Sequence, residues 1–242
     1  MSKKISLKQY LMKSGKFDKM YDCEKAIREG KVTVDNEIID NPGYFFSPKS
    51  LVKVGSEKVR KVPKLYFLIN KPAGYLSQKA ENEKTIYDLI GKLNIPEEHK
   101  KSLFAVGRLD KGTEGLMVIT NDGRLSDMIM QPESEITKKY YAMLENPTGK
   151  NKINILEKGI ELEIDHERYK TKPCKIKIVG EKEIYISISE GKKRQIRLMF
   201  EAIGNKVTYL KRVSIAGLQL GKLNIGEIRQ ITREDIMEKL EI

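Results

Sequence analysis

Strand-like and helix-like segments follow one another without regular alternation along most of this 242-residue chain. The apolar runs "KLYFLIN" and "GLMVITNDG" have the length of buried strands, whereas "QIRLMFEAIG" has helical spacing. The stretch "EIYISISEG" alternates apolar and polar residues, which predicts a strand with one buried face. Because a doubly wound parallel sheet needs strands and helices in regular alternation, the sequence predicts an α+β fold with a mixed, largely antiparallel sheet.

The first sixty residues predict a smaller unit of their own. Ser6 can cap a first helix and Asp22 a second, and "KVTVDNEII" then predicts a hairpin. We therefore expect two domains. A small α/β module of two helices plus a short sheet occupies residues 1–60, and the α+β domain occupies residues 61–242.

Positive charge is concentrated in the N-terminal quarter of the chain. The formal net charge is +12, and residues 1–62 contain 14 Lys and Arg against 8 Asp and Glu. A surplus concentrated in one segment favours a polyanionic partner such as a nucleic acid. Solvated lysine faces are the alternative explanation for any single residue.

The remaining composition narrows the class of protein. The longest apolar stretches are only a few residues, so no membrane-spanning segment is predicted. Cys23 and Cys174 lie far apart and do not form a disulfide framework, which favours a reducing cytoplasm. His99 and His166 are too few and too separated to indicate a metal centre.

The stretch "GRLDKGTEGLMVITNDG" places Arg108 and Asp110 directly before a glycine-rich bend and a buried strand. Its glycines lack the spacing of a phosphate-binding loop, and the alternating oxygen ligands of a calcium loop are missing. Two histidines in unpromising places do not complete a Ser-His-Asp set. A single carboxylate beside an arginine remains, which from the residues alone is either a catalytic group or an ordinary surface turn.

Several motifs resemble known families. The stretch "ISLKQYLMKSGKF", followed by "CEKAIREGKVTVDNEII", resembles the RNA-binding module of ribosomal protein S-four type. The Asp110 stretch resembles the signature of the pseudouridine synthases that modify ribosomal RNA, in the branch that carries this module. Four further segments occur in the family's order across 65–232: "YFLINKPAG", "TKKYYAML", "ISEGKKRQIRLMFEAIGNKV" and "LKRVSIAGLQLGKLNIGEIRQIT".

The resemblance implies a cofactor-free isomerisation of one uridine in structured ribosomal RNA. That reaction breaks the glycosidic nitrogen–carbon bond, rotates the uracil and rejoins it through a ring carbon. One carboxylate can act as nucleophile, as base or as both, and the family implies Asp110 in this role. It further implies that Arg197 keeps the carboxylate ionised and that Tyr140 stacks on the extruded base.

Other basic residues are expected to contact the substrate. Arg108 either fills the gap left by the flipped base or forms a structural salt bridge, and the sequence leaves both readings open. Lys71 and Arg212 are expected to meet phosphates, and Gly115 is expected to allow close backbone approach or a positive φ. The RNA-binding residues expected in the N-terminal module are Lys19, Lys25, Arg28 and Lys31.

We expect a cytoplasmic monomer that binds ribosomal RNA, with a ribosomal subunit precursor as one form of that partner, and that binds neither metal nor membrane. Two alternatives remain: a non-catalytic RNA-binding or ribosome-assembly factor on the same scaffold, and a synthase acting on transfer RNA. The residue types at Asp110, Tyr140 and Arg197 favour the enzyme over the first alternative.

Overall fold

The computed structural model describes residues 4–17 and 19–241. They divide into two compact units. The first unit comprises the described residues up to Leu65 together with Gly91–Phe104. The second comprises Tyr66–Ile90 together with the described residues from Ala105 onward. Within these residues, no helix has the length and hydropathy that crossing a lipid bilayer requires.

Helices and strands are numbered in chain order. The helices are α1 (Leu7–Lys13), α2 (Met20–Arg28), α3 (Ile86–Ile90), α4 (Glu97–Ser102), α5 (Gly123–Met130), α6 (Lys150–Lys158), α7 (Gln195–Ala202) and α8 (Arg233–Leu240). The strands are β1 (Ile5–Ser6), β2 (Val32–Val34), β3 (Glu37–Ile38), β4 (Phe45–Phe46), β5 (Val52–Val54), β6 (Glu57–Lys58), β7 (Tyr66–Lys71), β8 (Phe104–Ala105), β9 (Glu114–Thr120), β10 (Lys138–Leu144), β11 (Glu161–Ile164), β12 (Glu167–Lys170), β13 (Lys175–Ile178), β14 (Glu183–Ile188), β15 (Val207–Ile215), β16 (Leu218–Gln219) and β17 (Ile228–Gln230).

The first unit contains the predicted two helices and short sheet, and it also contains α4, which lies outside the predicted residues 1–60. Ser6 caps α1, because its hydroxyl accepts a hydrogen bond from the Gln9 main-chain N–H. The strand order is β3-β2-β5-β6, and every neighbouring pair is antiparallel. Asp35 and Asn36 both have positive φ in the β2–β3 turn, as the type I′ turn of a two-residue hairpin requires. Buried apolar residues from α1, α2 and the sheet form one core.

The prediction that Asp22 caps the second helix is wrong. Helix α2 begins at Met20 with Lys19 in the capping position, so Asp22 lies in its first turn. A carboxylate in the first turn still interacts favourably with the helix dipole, which explains why the sequence suggested a helix start nearby.

The second unit is built on a mixed, largely antiparallel sheet, as predicted. The strand order is β13-β14-β10-β15-β9-β7-β17, and β15 with β9 is the parallel pair along this path. All residues of β7 are buried, and β14 alternates buried with half-buried positions. One face carries a core formed from β7, β9, α5 and α8, which makes the centre of the sheet a rigid support.

Gly115 joins the start of β9 closely to β15. Its φ is +114°, and a Cβ atom there would lie 2.2 Å from the main-chain oxygen of Arg212. Any larger residue would push the two strands apart, so the expectation of close backbone approach and positive φ is confirmed. Strand β9 begins directly after the turn that contains Asp110, and this close packing fixes one end of that turn.

Candidate active site

Residues 106–113 connect β8 to β9, and residues 108–113 of this connection are called the Asp110 turn below. The Asp110 side chain is exposed. It lines a small cavity of about 70 Å³ together with Tyr140. The same two residues also line an adjoining cavity of about 700 Å³. The carboxylate and the aromatic ring therefore face shared space, although they come from sequence positions 30 residues apart.

Hydrogen bonds fix the main chain of the Asp110 turn at four successive carbonyl groups. The Leu109 carbonyl accepts from the Ser77 hydroxyl at 2.8 Å, and that of Asp110 accepts from the Thr113 N–H at 2.9 Å. The Lys111 carbonyl accepts from the Gly74 N–H at 2.7 Å. The fourth carbonyl, that of Gly112, accepts from Arg197 Nη2 at 3.2 Å. Because four neighbouring carbonyls have donors, the turn presents its carboxylate from a fixed backbone.

Tyr140 lies on β10 in the middle of the sheet. Its side chain is 8% exposed, and it pairs in register with Arg212 of β15. The neighbouring Tyr141 occupies the other face of the strand, where its hydroxyl donates to Glu183 at 2.7 Å. A largely buried aromatic ring that lines a cavity is suited to stacking on a planar ligand.

Arg197 lies in the first half of α7 and reaches two different elements. Nη1 donates to the Val207 carbonyl at 2.8 Å, and Nη2 donates to the Gly112 carbonyl. Burial lowers the pKa of the guanidinium, while the charge of Asp110 acts in the opposite direction. Between described residues, no ion pair within 4.0 Å joins Arg197 to Asp110. Arg197 thus acts on the carboxylate as a nearby charge and fixes its turn.

The expectation that Lys71 meets phosphates is not compatible with its position. Its side chain is fully buried at the end of β7. Nζ donates to the carbonyls of Pro72 at 2.9 Å, Tyr75 at 2.7 Å and Lys111 at 3.3 Å. Burial lowers the pKa of Lys71 to about 8, while Asp110 and Glu114 oppose the shift. At neutral pH the ammonium stays charged and uses its three N–H groups to bind main chain, including that of the Asp110 turn.

Arg212 is also buried, with 4% of its surface exposed. Nε donates to the Leu116 carbonyl at 2.7 Å, and Nη2 lacks a hydrogen-bond partner among the described residues. The side chain nevertheless lines the larger cavity, where Lys138 is its basic neighbour. Nη2 is itself buried, so Arg212 does not present an exposed charge to a phosphate.

Arg108 is exposed and lines both cavities. Within the part of the chain that the structure describes, its guanidinium forms no salt bridge, so the purely structural reading has no support. The charged residues that line the larger cavity are predominantly basic. The basic residues are Lys79, Arg108, Lys111, Lys138, Lys172, Lys192, Lys193 and Arg212, against the two acidic residues Asp110 and Glu190.

Sequence reasoning missed some residues around the cavity. Lys138 precedes Tyr140 by two positions on β10, so the period of a strand could have placed both on one face. Tyr169 and Glu190 also line the cavity and are hydrogen-bonded to each other. Ser77 binds the Asp110 turn from a loop. No periodic pattern marks these last three residues, because their partners lie far away in sequence.

In the N-terminal unit, the four predicted RNA-binding residues are exposed. Lys25 and Lys31 lie 3.9 Å and 2.7 Å from opposite oxygens of Glu29. Surface pairs of this kind are weak, so a polyanion can compete for both lysines. For metals, the described residues contain no group of three or more His, Cys, Asp and Glu side chains arranged to hold an ion.

Comparison with known proteins identifies the family. The family model for RNA pseudouridylate synthase matches residues 65–202, which is more than half of the chain. The chain belongs to the RNA pseudouridylate synthase family. The S4 domain model matches residues 7–59. Both matches agree with the motifs that suggested the family from the sequence.

Relatives match this pseudouridine synthase over most of their length. The ribosomal large subunit pseudouridine synthase B of Bacillus subtilis (strain 168) is 36% identical and covers 88% of this chain and 87% of its own. The ribosomal small subunit pseudouridine synthase A of Escherichia coli (strain K12) is 34% identical over 88% of this chain and 90% of its own. A crystal structure of a pseudouridylate synthase has a TM-score of 0.69, 31% identity, and coverage of 98% and 99%.

Proposed function

We propose that this protein isomerises a specific uridine of structured ribosomal RNA to pseudouridine. The observation that carries the proposal is that Asp110 and Tyr140 line shared cavities whose other charged residues are mostly basic. The names of the relatives, which refer to both ribosomal subunits, support ribosomal RNA as the substrate class. The reaction neither oxidises the nucleotide nor removes atoms from it, so its stoichiometry requires no cofactor.

Asp110 supplies the reacting carboxylate in this proposal. The target base must leave its stack to reach it, which costs a few kcal/mol. Stacking on Tyr140 would return ~1–3 kcal/mol, and Arg108, exposed at the rim of both cavities, would occupy the space left in the RNA. Arg197 restrains the turn and contributes positive charge near the carboxylate. Lys71 is a buried cation that donates a hydrogen bond to the Lys111 carbonyl of the same turn.

RNA binding and catalysis are assigned to different domains in this proposal. We propose residues 1–60 as the RNA-binding module and residues 61–242 as the catalytic domain. The module would contact RNA phosphates through Lys19, Lys25, Arg28 and Lys31. We expect the protein to act as a cytoplasmic monomer. Two alternatives remain to be tested. The protein could be an RNA-binding assembly factor without catalysis, or its substrate could be a transfer RNA, and the following experiment distinguishes both from the proposal.

The proposed activity can be tested by mapping pseudouridines at single-nucleotide resolution in cells that lack the protein. We expect one ribosomal RNA site, or a few neighbouring sites, to lose modification and to regain it when the wild-type protein is restored. Loss of a site in transfer RNA alone would reassign the substrate. Unchanged modification in all ribosomal and transfer RNA would contradict the enzymatic proposal and favour the assembly factor.

The proposed RNA-binding module leads to a separate prediction about the salt dependence of RNA affinity. A variant with Gln at Lys19, Lys25, Arg28 and Lys31 should bind ribosomal RNA more weakly and with a flatter salt dependence. The slope of log affinity against log salt should shrink by about 0.7–0.9 for each phosphate that the variant no longer neutralises, because fewer counterions are released. Fluorescence anisotropy over roughly 50–200 mM salt measures both quantities.

The matched control removes four exposed lysines from α6 and β13 of the other unit: Lys150, Lys158, Lys175 and Lys177. It changes the net charge by the same amount and involves no residue that lines either cavity. If both variants flatten the slope equally, net charge rather than the module explains the effect. An unchanged slope in the first variant would show that the four residues do not bind phosphates.

A further inference from the structure

We propose that Ser77 is a positioning residue that aligns the Asp110 turn for the isomerisation. The inference rests on the proposed role of Asp110 and adds a residue to which neither the sequence motifs nor the comparisons give a role. Ser77 belongs to the loop that follows β7 and is separated from Leu109 by 32 residues. It acts through the main chain of Leu109, not through the substrate.

One hydroxyl binds both polar main-chain groups of the same residue. Ser77 Oγ accepts a hydrogen bond from the Leu109 N–H at 3.0 Å and donates one to the Leu109 carbonyl at 2.8 Å. A serine hydroxyl has one hydrogen and two acceptor lone pairs, so it can satisfy both groups at once. Met117 Sδ, at 3.7 Å, is the weaker alternative acceptor for that hydrogen. The serine is 5% exposed, so water does not substitute readily for it.

Leu109 is the residue between Arg108 and Asp110, and both of these face the cavities. The Leu109 side chain is buried, and its main chain is bound by Ser77. Leu109 is thus the attachment point of the turn to the interior. A shift of its peptide groups would displace the carboxylate and the guanidinium together.

Ser77 is itself attached to a fixed segment. The preceding Leu76 donates its N–H to the Lys84 carbonyl at 2.8 Å and accepts the Ile86 N–H at 2.9 Å. These bonds connect the loop to the start of α3. The Ser77 hydroxyl therefore extends from a segment that its own hydrogen bonds hold in place. A residue can position another group only if its own position is fixed in this way.

The effect of losing the hydroxyl is limited by the other restraints on the turn. The carbonyls of Asp110, Lys111 and Gly112 retain donors that do not involve Ser77. Removal of the hydroxyl should therefore loosen the turn locally without unfolding the unit. A displacement of about 1 Å at a reacting group can cost about 10²-fold in rate, whereas RNA contacts elsewhere are unaffected.

The test compares full-length Ser77→Ala, Ser77→Thr and Ser102→Ala proteins with wild type. Ser102 is a buried serine whose hydroxyl donates locally to the His99 carbonyl at 2.7 Å, which makes it a matched control. The probe is ribosomal RNA from cells lacking the protein, labelled with tritium at uracil carbon 5. Joining that carbon to ribose releases the tritium to water, so release measures the reaction directly.

We expect Ser77→Ala to lower kcat by about 10- to 100-fold with KM changed by less than about threefold. Ser77→Thr, which retains the hydroxyl, should recover most of the rate, and Ser102→Ala should match wild type. Three results would overturn the proposal: a normal kcat in Ser77→Ala, an equal loss in Ser77→Thr, or loss of the native circular dichroism spectrum in Ser77→Ala. Failure of the wild-type protein to release tritium would instead contradict the proposed function, and the Ser77 role with it.

Discussion

Asp110→Asn is expected to reduce uridine isomerisation by about 10⁴-fold or more, because an amide is neither a competent nucleophile nor a base. The substitution preserves size and should preserve the fold. Among described residues the Asp110 carboxylate forms no hydrogen bond or ion pair. The turn is instead held by hydrogen bonds to its main-chain carbonyls. Affinity for RNA should therefore change by less than about threefold. Tritium release and anisotropy with the same RNA measure the two quantities.

Asp127→Asn is the matched control for this change. Asp127 is an exposed aspartate on α5 and lines neither cavity, so its replacement alters net charge by the same amount. We expect wild-type activity from the control. If Asp110→Asn retained about a tenth or more of the wild-type rate, the loss would be smaller than the ~10²-fold that general acid–base chemistry contributes at the least, and Asp110 would not be the reacting group.

The elements around the site could be predicted because their signals are local. The run of buried residues in β7 and the alternation in β14 require only a window of a few residues, and both strands are where the sequence predicted them. The positive φ of Gly115, at the start of β9, and that of Asp35, in the β2–β3 turn, are likewise local features of the backbone. Sequence alone therefore supported the fold class and the strand that follows Asp110.

The environments of the basic residues could not be predicted in the same way. Lys71 and Arg212 were expected to meet phosphates, but packing buries both and directs hydrogen bonds from Lys71 Nζ and Arg212 Nε to main-chain carbonyls. A lysine in sequence looks the same whether it is solvated or buried, and the difference depends on which strands meet around it. Ser77 was missed for the related reason that its partner lies 32 residues away.

The sequence motif and the structure each explain part of the role of Arg197. The motif suggested that it lies near Asp110 as a counter-charge. The structure adds hydrogen bonds to the main chain at Gly112 and Val207, which connect α7 to the Asp110 turn and to the start of β15. A planar guanidinium can reach two acceptors in fixed directions, whereas an ammonium is a single point of contact. Arginine is therefore suited to restraining the turn while it supplies charge.

Arg197→Met is accordingly expected to lower kcat by about 10²-fold, because hydrogen bonds from a charged group contribute ~1.5–3 kcal/mol each and the nearby positive charge is removed as well. Arg197→Lys should fall between wild type and Met, since it retains the charge but only one directed contact. Steady-state tritium release should show the loss mainly in kcat, with KM changed little.

The control for Arg197 is Arg229→Met. Arg229 is an exposed arginine on β17 that lines neither cavity, and its removal should leave kcat unchanged. Equal kcat values for Arg197→Met and wild type would mean that the turn is sufficiently fixed by its other donors. Equal values for Arg197→Lys and Arg197→Met would instead assign the effect to the paired hydrogen bonds rather than to charge. In that case the geometry of the fork, which fixes Gly112 and Val207 together, would be the property that this site requires of the residue.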